Sequence, residues 1–264
     1  MELLTIPFSH YNERARWAMQ HHGLAAHERR YLPMLHFRPV RDAVPEAQRV
    51  ADKTGSGLST PVLVLDDGTV LTDSTRIVRW ADETHGDETR TLYPAALREQ
   101  IVAFEQPLHD DIGRDTRFLA YWFLLDDGPA FAELVRHNVG LWQRAAFTLG
   151  SPLAKAGMRK RFGLTQPRYE KVRARIEAAV AELSATLGDR EYFFGDRFTA
   201  ADLTAATMLS PALLPLPGYG ARIPEIRGPY GELRDQLAAT AVGRHARRMF
   251  ERHRGDTPAG WTLG

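Results

Sequence analysis

The sequence predicts an α+β first half followed by an all-α second half. Three observations point that way. Within the first 84 residues, short β-rich runs and helix-spaced segments follow the order strand, helix, strand, helix, hairpin, helix. A polar stretch with Gly86 and Pro94 then interrupts the pattern at residues 85–94. Beyond it, almost every long segment carries apolar residues at helical spacing. With 264 residues, 44% hydrophobic and 25% charged, the chain can bury a sizeable core as one or two domains.

Residues 3–6 read as a first strand, broken by Pro7-Phe8-Ser9-His10. A helix at residues 11–22 follows, with Ala15, Ala18, Met19 and His22 on its inward stripe and Gly23 as a stop. Residues 27–32 read as a second strand, and a right-handed crossover would make it parallel to the first. Residues 33–54 are less regular; Pro39 and Pro45 bound a short helix at residues 46–51, and residues 55–57 form a loop. Val62 to Leu65 is an unbroken apolar run of buried-strand length. Asp66-Asp67-Gly68 makes a hairpin turn, because Asp and Gly tolerate positive φ, and the β-branched residues 69–72 return. Asp73-Ser74 then opens a helix whose Ile77, Val78 and Ala81 share an apolar face.

A proline heading a buried strand removes a ladder donor. A cis Thr60-Pro61 bond is one reason for it: the Thr60 main chain would turn outward, where an extended peptide can pair with it. Ser74, one hairpin away, sits where a helix N-terminus receives a carboxylate.

In the second half the longest helix is expected at residues 95–125, kinked by Pro107 and turning Ile101, Phe104, Leu108, Ile112, Phe118 and Trp122 inward. Further helices are expected at residues 129–149, 167–187, 199–213 and 230–252, with residues 211–229 too rich in proline and glycine to stay helical. The arginines 247, 248, 252 and 254 read as a solvated helix end.

Several classes of function are excluded as expectations. A net charge of +1 gives no electrostatic case for nucleic acid. With no cysteine there is no disulfide framework, thiolate zinc site or cysteine nucleophile. The first residues turn polar too soon for a signal peptide, and no run approaches eighteen apolar residues, so no membrane span is expected. His21-His22 and His245/His253 lack a carboxylate at metal-ligand spacing, and no Gly-x-Ser-x-Gly surrounds Ser9.

Four pieces taken together carry a resemblance. Ser9-x-x-x-x-Arg14-x-Arg16, Thr60-Pro61, Asp73-Ser74 and Phe198-Thr199-Ala200-Ala201-Asp202 stand in the order and spacing of the glutathione transferase superfamily, over nearly the whole chain. The resemblance implies a thioredoxin-like domain (βαβαββα) at residues 1–84 that binds glutathione, a linker at 85–95, and an all-α helical-bundle domain at 96–264 lining an electrophile site. It also implies a cytoplasmic homodimer with glutathione as co-substrate and a small electrophile as second ligand, without metal, nucleic acid or membrane.

The first-helix motif is most similar to the omega-class form, where the first position carries cysteine; zeta- and theta-like members carry serine there. The resemblance therefore assigns a serine-type site to Ser9, with His10 standing where omega members often have proline. Glutathione would contact Ser9, Thr60, Pro61, Asp73 and Ser74. The Ser74 hydroxyl and helix amides suit the γ-glutamyl carboxylate, and the Asp73 carboxylate suits the ammonium, although both residues also serve as ordinary helix caps. Thr199 and Asp202 form a capping box, a folding element. Arg14 and Arg16 are expected to join the halves through carboxylates of the helical half. Arg114, Arg117, Phe118 and Tyr121, with Trp122, are the candidates for the electrophile site. Trp142, Phe147 and the 154–161 connection would close over it, and the mix suits an apolar substrate bearing an anionic group.

The chemistry asked of Ser9 is modest. A thiol with pKa ~8.5 is about 7% thiolate near pH 7.4. Lowering that pKa by roughly two pH units requires ~2.7 kcal/mol. One hydroxyl hydrogen bond to a charged group contributes ~1.5–3 kcal/mol, and a helix N-terminus adds ~0.3–1. Tyr11 is the rival donor and Asn12 a third. Two functions follow: an enzyme that activates the thiolate of glutathione, or a non-catalytic binding or scaffold protein on the same fold.

Overall fold

The computed structural model describes residues 1–49 and 57–264. In the first half, β1 (Glu2–Thr5), α1 (His10–His21), β2 (His27–Arg30), α2 (Phe37–Ala43), β3 (Val62–Val64), β4 (Val70–Thr72) and α3 (Ser74–His85) follow one another. β1 runs parallel to β2 and antiparallel to β3, and β3 runs antiparallel to β4. The period-2 alternation fills both faces of the sheet. Leu4, Val62 and Val70 meet Val40 and Val44 on one side; Leu3 and Leu63 meet Ala15, Met19 and Ile77 on the other.

Two elements here differ from the sequence reading. Pro39 lies within α2 instead of bounding a helix, because a proline in the first turn costs no intrahelical donor. The expected helix at 46–51 is a single 3₁₀ turn, Glu46–Gln48, and residues 50–51 of it and 55–56 of the expected loop lie outside the described residues.

The second half begins with a 3₁₀ turn (Ala95–Leu97), α4 (Arg98–Pro107), a π turn (Leu108–Ile112) and α5 (Gly113–Leu124). α6 (Gly128–Asn138), α7 (Leu141–Phe162), α8 (Gln166–Leu187), α9 (Ala200–Leu209), α10 (Pro229–Ala238) and α11 (Ala241–His253) complete it. Pro107 is thus followed by a widened turn that keeps the run helical. The helix expected at 129–149 is two, split where Gly140 caps α7, and the 154–161 segment continues α7 through Pro152. Thr240 likewise divides the helix expected at 230–252, its hydroxyl accepting the Gly243 N–H at 3.1 Å.

The main core joins the two halves. Trp17 and Ala18 of α1 and Val78 of α3 pack with Ile101, Leu108, Phe118, Ala205 and Phe250. The Trp17 indole donates to the His253 carbonyl at 2.9 Å. The chain then returns to the sheet: β5 (Thr262–Leu263) runs parallel to β2, giving the order β4-β3-β1-β2-β5. A two-residue exposed strand has no hydrophobic alternation to announce it, and the sequence reading has none there.

Candidate active site

Ser9 is the N-cap of α1, its carbonyl accepting the Glu13 N–H at 2.9 Å. Serine at this position ordinarily spends its hydroxyl on the helix amides. Here the hydroxyl makes no capping bond, and the residue lines a cavity of about 160 Å³.

Tyr11 also lines the cavity, but its hydroxyl donates to the His109 carbonyl in the π turn at 2.9 Å. Burial, opposed by the charge of Arg117, pushes its phenol up to about 12. The close approach depends on Gly113: a Cβ there would lie 2.5 Å from the Tyr11 hydroxyl and 2.7 Å from the Met208 sulfur. The Asn12 amide donates to Thr60 Oγ1 at 3.1 Å, so that side chain is committed to holding Thr60. Thr60 lines the cavity, and the Thr60-Pro61 bond is cis.

In the sequence His10 stands out only as a departure from the omega pattern. The structure buries it in the cavity wall with Nε2 unpartnered. Burial and the neighbouring Arg117 charge hold its imidazole well below the ordinary range, against a hydrogen bond that the ring donates to the Gly113 main chain. It is therefore a neutral ring beside Ser9. The only signal for it in the sequence is a polar residue at the entrance of the first helix, next to Ser9.

Asp73 and Ser74 stand beyond the cavity lining, at the start of α3. The Asp73 N–H donates to the Pro61 carbonyl at 3.2 Å, which ties the α3 entrance to the Thr60-Pro61 corner. Asp73 has φ 92°, a conformation unfavourable for any side chain and concentrated at functional sites. Its carboxylate accepts the Thr75 N–H at 2.7 Å and lies 3.4 Å from His109 Nε2. Burial opposes ionisation of Asp73, but the hydrogen bond and charge of His109, the Thr75 amide and Arg14 outweigh it and hold the carboxyl below its usual range. The Ser74 hydroxyl is buried 3.4 Å from Arg14 Nη1.

Arg14 joins the halves. Fully buried, it donates to Thr75 Oγ1 at 2.8 Å on α3, to Thr204 Oγ1 at 3.0 Å on α9, and to Glu105 at 2.6 Å on α4. Arg16 does not follow that expectation. Its carboxylates are Glu13 and Glu28, both in the first half, because it turns toward β2. The tie to the second half runs through Arg254, whose Nε donates to Glu13 at 2.7 Å. Arg254 is thus buried rather than part of a solvated basic end, and Arg252 pairs with Glu191 at 2.6 Å.

Of the electrophile-site candidates, Arg117 and Tyr121 line the cavity. Phe118 and Trp122 do not: Phe118 is buried in the main core, and Trp122 stacks on Tyr169 at 4.9 Å. Arg114 is exposed at the π turn, bonded to the Asp110 carbonyl and to Asp111 at 2.5 Å. Trp142 faces solvent and Phe147 packs between α6 and α7; from α7 it is Met158, Arg161 and Phe162 that wall the cavity. Sequence reasoning missed its remaining apolar wall, which includes Leu124, Leu214, Ile223 and Tyr230. Among the described residues no carboxylate lines it, and Arg117 has no ion pair there; its guanidinium lies 5.8 Å from the Tyr11 ring and 5.5 Å from that of Phe162. No cluster of three metal-ligating side chains occurs among the described residues, although His22 and His245 do face single carboxylates, Asp82 and Asp202, each at 3.3 Å.

Comparison with known proteins places this geometry. The family model described as glutathione S-transferase, N-terminal domain, matches residues 3–89, and its C-terminal counterpart matches residues 166–239. No curated protein matches the sequence. Among solved structures, a glutathione S-transferase of Ceriporiopsis subvermispora in complex with glutathione is 18% identical, with TM-score 0.62 over 98% of this chain and 99% of that one. One from Methylobacterium radiotolerans, in complex with glutathione sulfonate, is 21% identical, with TM-score 0.58 over 97% and 93%. One from Methylobacillus flagellatus with glutathione bound is 20% identical, with TM-score 0.55 over 96% of each chain. These likenesses share the fold, and with both domain models matched in order along it, the chain belongs to the glutathione S-transferase superfamily.

Proposed function

We propose that this protein is a glutathione transferase that holds the glutathione thiolate at Ser9 for attack on an electrophilic substrate. The observation that carries the reading is at Ser9: its hydroxyl caps no helix amide and the residue lines the cavity together with Thr60, whereas the Tyr11 hydroxyl is spent on His109. Residues 1–84 would bind glutathione, 85–95 would link, and 96–264 would line the electrophile site. The peptide would lie against Thr60 and Pro61, with its γ-glutamyl head at Asp73 and Ser74. Solved structures of this fold that hold glutathione support glutathione as the ligand.

In this mechanism the Ser9 O–H donates to the sulfur anion and the α1 N-terminus adds its dipole. The thiol proton passes to solvent, so no general base is required. The sulfur lone pair then forms a bond to the electrophilic carbon as the bond to the leaving group breaks. Neutral His10 and neutral Tyr11 add no negative charge against the thiolate. Arg117, unpaired among the described residues in a wall without carboxylates, suits a second substrate that is apolar and carries an anion.

Retention on immobilised glutathione, followed by conjugation assays on the parent, Ser9→Ala and Tyr11→Phe, tests the reading. Loss of one charge-assisted hydrogen bond predicts a fall of roughly 10- to 100-fold near neutral pH for Ser9→Ala. Retention without turnover over a broad electrophile panel would favour a binding or scaffold protein instead. The proposal includes a homodimer in the cytoplasm, carried by family membership; sedimentation and cell fractionation test those parts.

A further inference from the structure

Among the described residues, six large apolar side chains are exposed, and four of them lie on α7: Leu141 at 78%, Trp142 at 59%, Leu149 at 87% and Leu153 at 82%. At about 100° per residue, Trp142, Leu149 and Leu153 fall within roughly 40° of one another. Ala145, Ala146 and Ala156 continue the same stripe. The opposite face is committed to the protein. The Gln143 side chain accepts the Leu32 N–H at 2.8 Å and donates to the Arg30 carbonyl at 2.7 Å, and Met158 and Phe162 pack inward. The helix therefore cannot roll its stripe out of water.

The charge on α7 is one-sided. Arg144, Lys155, Arg159, Lys160 and Arg161 stand on it without a single carboxylate, in a chain whose net charge is only +1. Lys160 falls within the apolar stripe near its C-terminal end, and Arg159 flanks it while bonded to Asp126. An exposed helix with Trp and Leu on one face and only cations among its charges has the chemistry of an interfacial helix on anionic lipid. A second copy of the chain answers it poorly, since α7 of that copy brings no carboxylate to Lys160.

We infer that the exposed face of α7 seats on an anionic bilayer surface. Trp142, Leu149 and Leu153 enter the boundary between headgroups and acyl chains, and Lys160 meets lipid phosphates. No helix among the described residues is long and apolar enough to cross a membrane, so the contact is with the surface. The inference is independent of the glutathione reading.

The test is co-sedimentation of the full chain with phosphatidylcholine vesicles containing about 30% phosphatidylglycerol, against phosphatidylcholine alone. Binding to the anionic vesicles is expected, about tenfold weaker when salt rises from roughly 0.05 M to 0.5 M. A blue shift of tryptophan emission on binding should vanish in Trp142→Phe. Leu149→Gln/Leu153→Gln should bind at least about tenfold more weakly with unchanged melting, and Lys160→Glu should weaken binding at low salt. No sedimentation at low salt would overturn the inference, and so would binding that survives the double leucine variant. A lipid-free oligomer that this variant dissociates would overturn it too, by assigning the face to a second copy.

Discussion

Replacing Glu105 by glutamine removes the one carboxylate that answers Arg14 among the described residues. That carboxylate accepts Arg14 Nη2 at 2.6 Å, Thr204 Oγ1 at 2.5 Å and the Tyr93 hydroxyl at 2.9 Å. Glutamine keeps the volume and one accepting oxygen but loses the charge, leaving a fully buried guanidinium without its counter-ion. Breaking a buried pair from one side costs about 3–5 kcal/mol. For a chain of this size that is a fall in Tm on the order of 10 °C. Arg14→Met/Glu105→Leu, which removes both charges, should recover a substantial part of the loss. Because Arg14 also bonds Thr75 and approaches Ser74, Glu105→Gln should weaken retention on glutathione as well as stability. Urea denaturation and melting of the three variants measure this. A Glu105→Gln protein within about 0.5 kcal/mol of the parent would refute the reasoning.

Three further outcomes are expected. Asp202 accepts the Phe193 N–H at 2.9 Å, the Thr199 N–H at 3.0 Å and the Thr199 hydroxyl at 2.9 Å. Asp202→Ala should therefore cost about 3 kcal/mol in denaturation, and Thr199→Ala about 1–2, while folded protein keeps its ligand contacts. Burial alone would raise the Glu28 carboxyl, but Arg16 and Arg30 bring it down from 4.5 to about 2. The unfolded chain takes up that proton first, so this stabilisation is intact above about pH 4.5 and is lost between there and about pH 2. The loss is on the order of 3 kcal/mol, and Glu28→Gln should flatten that limb in denaturation followed against pH. Gly113→Ala gains about 1 kcal/mol of helix propensity but overpacks against Tyr11 by about 1–3, so Tm should fall and Tyr11→Phe should restore part of it.

Features written in local chemistry were legible. The Asp66-Asp67-Gly68 turn puts Gly68 at φ 85°, and Thr199 and Asp202 bond reciprocally as a capping box should. The unbroken apolar run from Val62 to Leu65 read as a buried strand, and Val62 and Leu63 are indeed buried on opposite faces of the sheet. What stayed hidden depends on rotation and distance. Arg117 and Tyr121 are four residues apart and share a stripe, whereas Phe118 and Trp122 are one step round the helix and face the core. Arg16 carries the same charge as Arg14 two residues away, yet points toward β2 and takes Glu28. The π turn that presents the His109 carbonyl to Tyr11 is a change of hydrogen-bond register, which a proline alone does not specify. Nor does sequence distinguish a serine that caps a helix from one whose hydroxyl is left to a cavity.

The direct test of the central claim is the ionisation of bound glutathione, followed by thiolate ultraviolet absorbance against pH. The parent should hold the thiol roughly two pH units below its free value, and Ser9→Ala should raise it by about one to two, while Tyr11→Phe leaves it nearly unchanged. A thiol pKa that rises in Tyr11→Phe and stays put in Ser9→Ala would contradict the account.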